Sequence, residues 1–189
     1  RLVPLVSLIC NLVVVTGGTI QFARAGLLRA NIILPFTVLA VPMAWLGGVT
    51  PIGRDEFMIV LGLALLASGF AMLLHPSVER DDTVEWSPKM MWAIGGLVGA
   101  GLGSLAGLVG IGGGILLAPA MHLMRLAPAK VVAATASFFI LVNSGAGLFG
   151  QWLKLGQLGL RVDVAPYVWL IPAVLFGGLL GSRLGIRVL

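Results

Sequence analysis

Four glycines fall within five residues at Gly110-Ile111-Gly112-Gly113-Gly114, and Pro119 follows closely. Such a run costs helix stability and leaves backbone N–H and C=O groups without partners. Inside an apolar stretch it survives only where protein buries it or a watery cavity wets it. A helix restarting near Leu116 or Leu117 would carry Pro119 in its first turn, where a missing N–H costs little. Its free N–H groups and positive dipole end would then hold an anion without any Lys or Arg. Beyond the break, Thr135, Ser137, Asn143 and Ser144 enter the next apolar stretch with no charge beside them, and Ser7 and Asn11 do the same near the start of the chain. Hydroxyls in apolar helices often bond their own backbone, so Thr135 and Ser137 taken singly are expected to be structural. Buried amides are costlier, which makes Asn143 and Asn11 more informative. The substrate-binding candidates are therefore Gly110, Gly112, Gly113, Gly114, Pro119, Thr135, Ser137, Asn143, Ser7 and Asn11.

Other chemistries find little support. His122, three residues from Arg125, and His75, beside Pro76, are expected at an interface, and the Asp and Glu residues fall between the apolar stretches. No acid pair, His cluster or Ser-His-Asp set occurs at membrane depth, so neither an enzyme nor a metal site nor a cofactor is expected. Gly99-x-Gly101-x-Gly103 has no strand before it and no acidic residue after it until Asp163, which removes a nucleotide loop.

The elements that position these residues follow from composition. Of the 189 residues, 59% are apolar and 10% charged, against roughly 25% charged in soluble domains. Stretches free of Asp, Glu, Lys, Arg and His run Leu2–Ala23, Asn31–Gly53, Phe57–Leu74, Met90–Met121, Val131–Leu153 and Val164–Ser182. About 20 helical residues cross a hydrocarbon core, so five of these are each one span. The sixth, Met90–Met121, is too long for one span and too short for two, and is expected to be a full helix, a break and a half-helix. Continuous Leu, Ala and Gly rather than alternation excludes a β-barrel. The fold class is all-α, a polytopic transmembrane helix bundle in contact with the lipid bilayer. The net charge of +5 comes from Lys and Arg scattered between spans, which are topology signals and not a nucleic-acid patch. The single Cys10 excludes an intrachain disulfide. The first apolar stretch is too long for a secretory signal core and lacks a small-x-small cleavage site, so it is expected to be retained.

Two periodicities refine this picture. Gly95, Gly99, Gly103 and Gly107 repeat every fourth residue, a ladder expected to bring helix backbones together. An offset of 130 aligns residues 7–48 with 137–178 without a gap, and five of its nine identities are Gly or Pro: Gly17/Gly147, Gly26/Gly156, Pro42/Pro172, Gly47/Gly177 and Gly48/Gly178. This register predicts a first repeat over 1–74, a polar linker over 75–89 and a second repeat over 90–189. It also predicts a fragment lacking about 41 residues before Arg1 and about 15 after Leu189. If the half-helix returns to the side it came from, Arg24, Arg29, Arg80, Lys89, Arg125, Lys130, Arg183 and Arg187 share one side, against Arg1, Arg54, Lys154 and Arg161. The positive-inside rule then makes the linker cytoplasmic and the repeats inverted.

At Gly107-Leu-Val-Gly110-Ile-Gly-Gly-Gly114-Ile-Leu-Leu-Ala-Pro119, followed by Lys130-Val-Val-Ala-Ala-Thr135, the chain resembles the sulfite exporter (TauE/SafE) family of membrane transporter permeases. Members look like two repeats, each with a G-x-G-G-G break, a proline a few residues on and an A-x-x-T-S signature opening the next helix. Ala136 stands where Ser is usual, with Ser137 just after. Leu5 and Val6 occupy the matching places in the first repeat, where Ser7 and Asn11 are the polar residues at hand. The resemblance implies movement, in export or uptake, of a small anionic substrate such as sulfite or an organosulfonate across a bacterial inner membrane. The alternative is a membrane scaffold or assembly subunit whose glycine ladders serve packing alone.

Overall fold

The structure, a computed structural model, describes residues 2–50, 54–74, 86–109, 114–157 and 169–188. Seven helices follow one another there: α1 Leu2–Arg24, α2 Ala30–Val49, α3 Arg54–Leu74, α4 Pro88–Val109, α5 Gly114–Leu123, α6 Ala129–Gln157 and α7 Leu170–Val188. Four of them, α1, α2, α4 and α6, hold segments long and apolar enough to cross a bilayer. Large apolar side chains stand exposed along α3 and α7, among them Leu63, Leu66, Phe70, Leu73, Phe176 and Leu184. Water would not tolerate so much contiguous apolar surface, whereas acyl chains solvate it.

Helix ends fall where local chemistry puts them. Pro51 disfavours helical backbone at the residue before it, and Thr50 is extended (φ −65°, ψ 123°), closing α2. Pro88 opens α4 at the first position, where its missing N–H is no loss. Two helices finish with the same pair of backbone bonds. After α1, Leu27 N–H donates to Phe22 O (3.1 Å) and Gly26 N–H to Ala23 O (3.0 Å), with Gly26 at φ +69°. After α5, Leu126 N–H donates to Met121 O (3.2 Å) and Arg125 N–H to His122 O (3.0 Å). Arg125 occupies the left-handed position there, at φ 50°, which glycine would fill without strain.

The glycine ladder of α4 sets the centre of the bundle. A side chain at Gly99, Gly103 or Gly107 would strike a carbonyl oxygen of α2, on Phe36, Ala40 and Ala44 respectively. Both helices therefore run in the same direction with backbones touching. On its other side α2 meets α6, where a Cβ at Gly48 would lie 2.6 Å from Gly147 O and one at Gly150 2.6 Å from Trp45 O. α1 runs antiparallel to α6, since Thr19 faces Ser137 while Leu8 lies beside Gly147. α7 runs parallel to α1, with Gly178 against Val14 and Gly18 against Ser182. In this arrangement Arg24, Arg29, Lys89, Arg125, Lys130 and Arg183 gather at one end of the bundle.

Three expectations about the elements change. Pro119 is not in the first turn of the half-helix, because α5 begins at Gly114. Without a side chain Gly114 seats the first turn directly on α6, so packing moves the start ahead of the place that proline chemistry favours. The last helix, Leu170–Val188, does not stop at Ser182 but runs on through Arg183, near the bundle end where a long basic side chain can reach water, while residues 164–168 of the expected stretch lie outside the described residues. α6 likewise extends over Lys130 and Lys154, beyond Val131–Leu153. Of the polar connector, residues 75–85 lie outside the described residues, whereas Pro88 and Lys89 already belong to α4.

Candidate anion-binding site

α5 is ten residues long, about 15 Å, or half a hydrocarbon core. It starts at depth and returns to the end of the bundle from which α4 and α6 set out. Its apolar face is buried in the core: Leu117 and Met121 pack with Ile32, Phe36 and Ala40 of α2 and with Val131, Val132 and Phe139 of α6. A Cβ at Gly114 would collide with the Ile140 side chain and approach Ala136 O to 3.3 Å. The first turn of the half-helix is thus fixed beside the middle of the 29-residue α6. Helical N–H groups point toward the start of their helix, so those of α5 point away from Leu123, toward higher-numbered residues of α6.

Among those residues are buried polar ones. Ala136, Ile140, Asn143 and Gly147 form one stripe of α6 at helical spacing. The stripe meets the start of α5 at Ala136 and Ile140, and Gly107 near the end of α4 at Gly147, whose absent Cβ would be 3.5 Å from Gly107 Cα. Asn143 therefore stands level with the gap between α4 and α5. It is fully buried (0% exposed); its Nδ2 donates to Phe139 O at 2.9 Å, and its Oδ1 has no hydrogen-bond partner. Ser144 (0%) and Thr135 (1%) are equally buried, and neither hydroxyl has a partner. An unpaired buried polar atom costs about 1–3 kcal/mol, and three fall within residues 135–144 of α6.

The remaining candidates fare differently. Ser137 is buried, but its hydroxyl lies 3.0 Å from Thr19 Oγ1 and 3.5 Å from Val15 O, bonds that join α6 to α1. Pro119 is buried within α5. Asn11 is half-buried, and the antiparallel register of α1 and α6 sets it level with Asn143 and Ser144. Ser7, also half-buried, lies beyond Gly147 toward the opposite end. Gly110, Gly112 and Gly113 lie outside the described residues. Thr19 is the one partner that sequence reasoning missed, for nothing distinguishes it from Thr16 until α1 and α6 are placed together.

The family model described as Sulfite exporter TauE/SafE matches residues 1–188. The chain belongs to the sulfite exporter TauE/SafE family. It is 33% identical over 184 residues to "Probable membrane transporter protein y4hK" of Sinorhizobium fredii, an overlap covering 97% of this chain and 72% of that relative. To "Probable membrane transporter protein YunE" of Bacillus subtilis it is 33% identical over 135 residues, 68% of this chain and 48% of that protein. No solved structure matches. Like other TauE/SafE members the chain is a multi-pass integral membrane protein of the transporter class, at home in the bacterial plasma membrane.

Proposed function

We propose that this TauE/SafE member exports small sulfur-containing anions such as sulfite or organosulfonates. The observation carrying this reading is the start of α5 at half depth, fixed by Gly114 on Ala136 and Ile140 of α6, in the stretch of α6 that holds the buried, unpaired hydroxyl of Thr135. Donors in a half-helix first turn and a hydroxyl suit a sulfur oxyanion, and no cationic side chain is needed to bind one. A neutral pocket also lets the anion leave, which a buried Arg would hinder. Ser137 and Thr19 keep α1 against α6 at the same level and act as positioning residues.

The whole site lies between two inverted repeats, 1–74 and 90–189. Supporting this, the partners exchange as a two-fold relation requires: α1 meets α7 and α6 meets α2, each pair parallel, and α1 meets α6 antiparallel. The end holding Arg24, Arg29, Lys89, Arg125, Lys130 and Arg183 is the cytoplasmic one by the positive-inside rule.

The deciding experiment is sulfite and sulfonate flux through full-length protein in proteoliposomes, with Thr135→Val beside wild type. Flux in the wild type and its loss in the variant are expected. Equal flux in both removes the site, and no flux of any small anion in folded wild-type protein leaves a packing scaffold.

A further inference from the structure

Two adjacent glycines of α2 each seat a neighbouring helix. A Cβ at Gly47 would collide with Ser104 O of α4 and lie 2.9 Å from Leu108 N, and one at Gly48 would lie 2.6 Å from Gly147 O of α6. The offset of 130 carries this pair to Gly177 and Gly178 of α7. Gly178 behaves as its counterpart does: its Cβ would lie 2.6 Å from Val14 Cγ1 of α1, the helix that the offset pairs with α6. Gly177 does not. Gly47 is buried, whereas Gly177 is exposed and no described atom stands within 4 Å of the place its Cβ would take. One turn earlier the contrast recurs, with Ala44 fully buried against α4 and its counterpart Val174 only half-buried. Among the described residues, α7 has the neighbour corresponding to α6 and lacks the one corresponding to α4.

Lipid is a poor explanation of that face. A glycine against acyl chains costs helix propensity and offers them little surface, whereas a glycine against another helix lets the two backbones approach. The same offset places the counterpart of α4, Pro88–Val109, ahead of Arg1. α4 sets out from the end of the bundle that holds Arg29 and runs parallel to α2, so an inverted counterpart sets out from the opposite end and runs parallel to α7. A half-helix after it would return to the end where α1 begins at Leu2, and the chain need not cross the bundle again. From these observations we infer that the Gly177 face of α7 seats a transmembrane helix of the same polypeptide, lying ahead of Arg1 and packed on α7 as α4 is packed on α2. The inference rests on the inverted-repeat reading and is independent of which anion is carried.

Full-length protein in detergent and in bilayers tests it. Gly177→Ala is expected to lower Tm by about 2 °C or more, as a methyl forced against a helix backbone does. Against lipid the same change would hold or raise Tm through helix propensity, and that result overturns the inference. Cysteines placed one at a time ahead of Arg1, each paired with Leu180→Cys in a Cys10→Ala background, should form disulfides within one polypeptide at helical spacing. Leu180 stands one turn from Gly177 and is exposed, so its exchange disturbs no described contact. Disulfides joining two polypeptides would make a second copy the occupant, and no disulfide at any position would leave lipid there; either overturns the inference. The inverted-repeat reading is checked separately by labelling Arg29→Cys and Trp169→Cys, at the starts of α2 and α7, from the two sides of the membrane. Opposite sides support it, and labelling from the same side overturns that reading itself.

Discussion

Thr19 Oγ1 and Ser137 Oγ meet at 3.0 Å across the contact of α1 with α6, both side chains buried. Ser137→Ala leaves the Thr19 hydroxyl without this partner and should cost about 1 kcal/mol of stability in detergent unfolding. In a double-mutant cycle with Thr19→Val the coupling should be near the ~0.6 kcal/mol typical of membrane helix hydrogen bonds. A coupling of zero would show that the two hydroxyls do not share a proton.

Thr135 should behave in the opposite sense. Its hydroxyl is buried without a partner, so Thr135→Val removes an uncompensated polar group and should leave stability unchanged or raise it by up to about 1 kcal/mol. Anion flux should fall by about tenfold or more, as one lost donor at a charge-binding site typically costs 1.4 kcal/mol or more. A variant that loses both fold and flux would mark Thr135 as structural.

Two glycines of α4 separate packing from propensity. At Gly107 a Cβ would enter the Ala44 carbonyl, and Gly107→Ala should cost about 1–3 kcal/mol as overpacking. At Gly101 nothing lies within 4 Å, and Gly101→Ala should be neutral or stabilise by about 0.5–1 kcal/mol through helix propensity. Thermal unfolding of the pair in one detergent checks both signs at once.

Arg125 holds a left-handed backbone that suits glycine. Arg125→Gly should relieve about 1 kcal/mol of strain at the end of α5, whereas Arg125→Val should add to it. Denaturant midpoints of the two variants, falling on opposite sides of wild type, would verify this.

Much of the fold is legible in the sequence, because lipid imposes one rule on every span: the backbone must satisfy itself. Charge-free stretches therefore found α1 to α6 closely, and the fourfold glycine spacing found the α4 contact. The ends were less legible. Arg183, Lys130 and Lys154 ended the counted stretches, yet basic side chains long enough to reach water let helices continue past them. Pro119 misplaced the start of α5 because a local rule about first turns yielded to packing of Gly114 on Ile140. At the site, Asn143 and Thr135 stood out as polar residues in apolar surroundings, but which polar atoms stay unpaired depends on neighbours. Ser137 has one in Thr19, 118 positions away in sequence; Thr135 has none.

The backbone contacts of α2 also bear on how the protein can move. Between α2 and α4, and again between α2 and α6, glycines leave no layer of side chains to act as padding. Packed helices slide by small side-chain rotations, and here there is little to rotate. α2, α4 and α6 should therefore travel as one stiff plate. α1 and α7 meet instead through side chains, Leu179 on Gly17 and Val14 on Gly178, of which the longer Leu179 can yield by rotation. A disulfide or short crosslink tying α2 to α4 is expected to leave transport intact, and one tying α1 to α7 to arrest it.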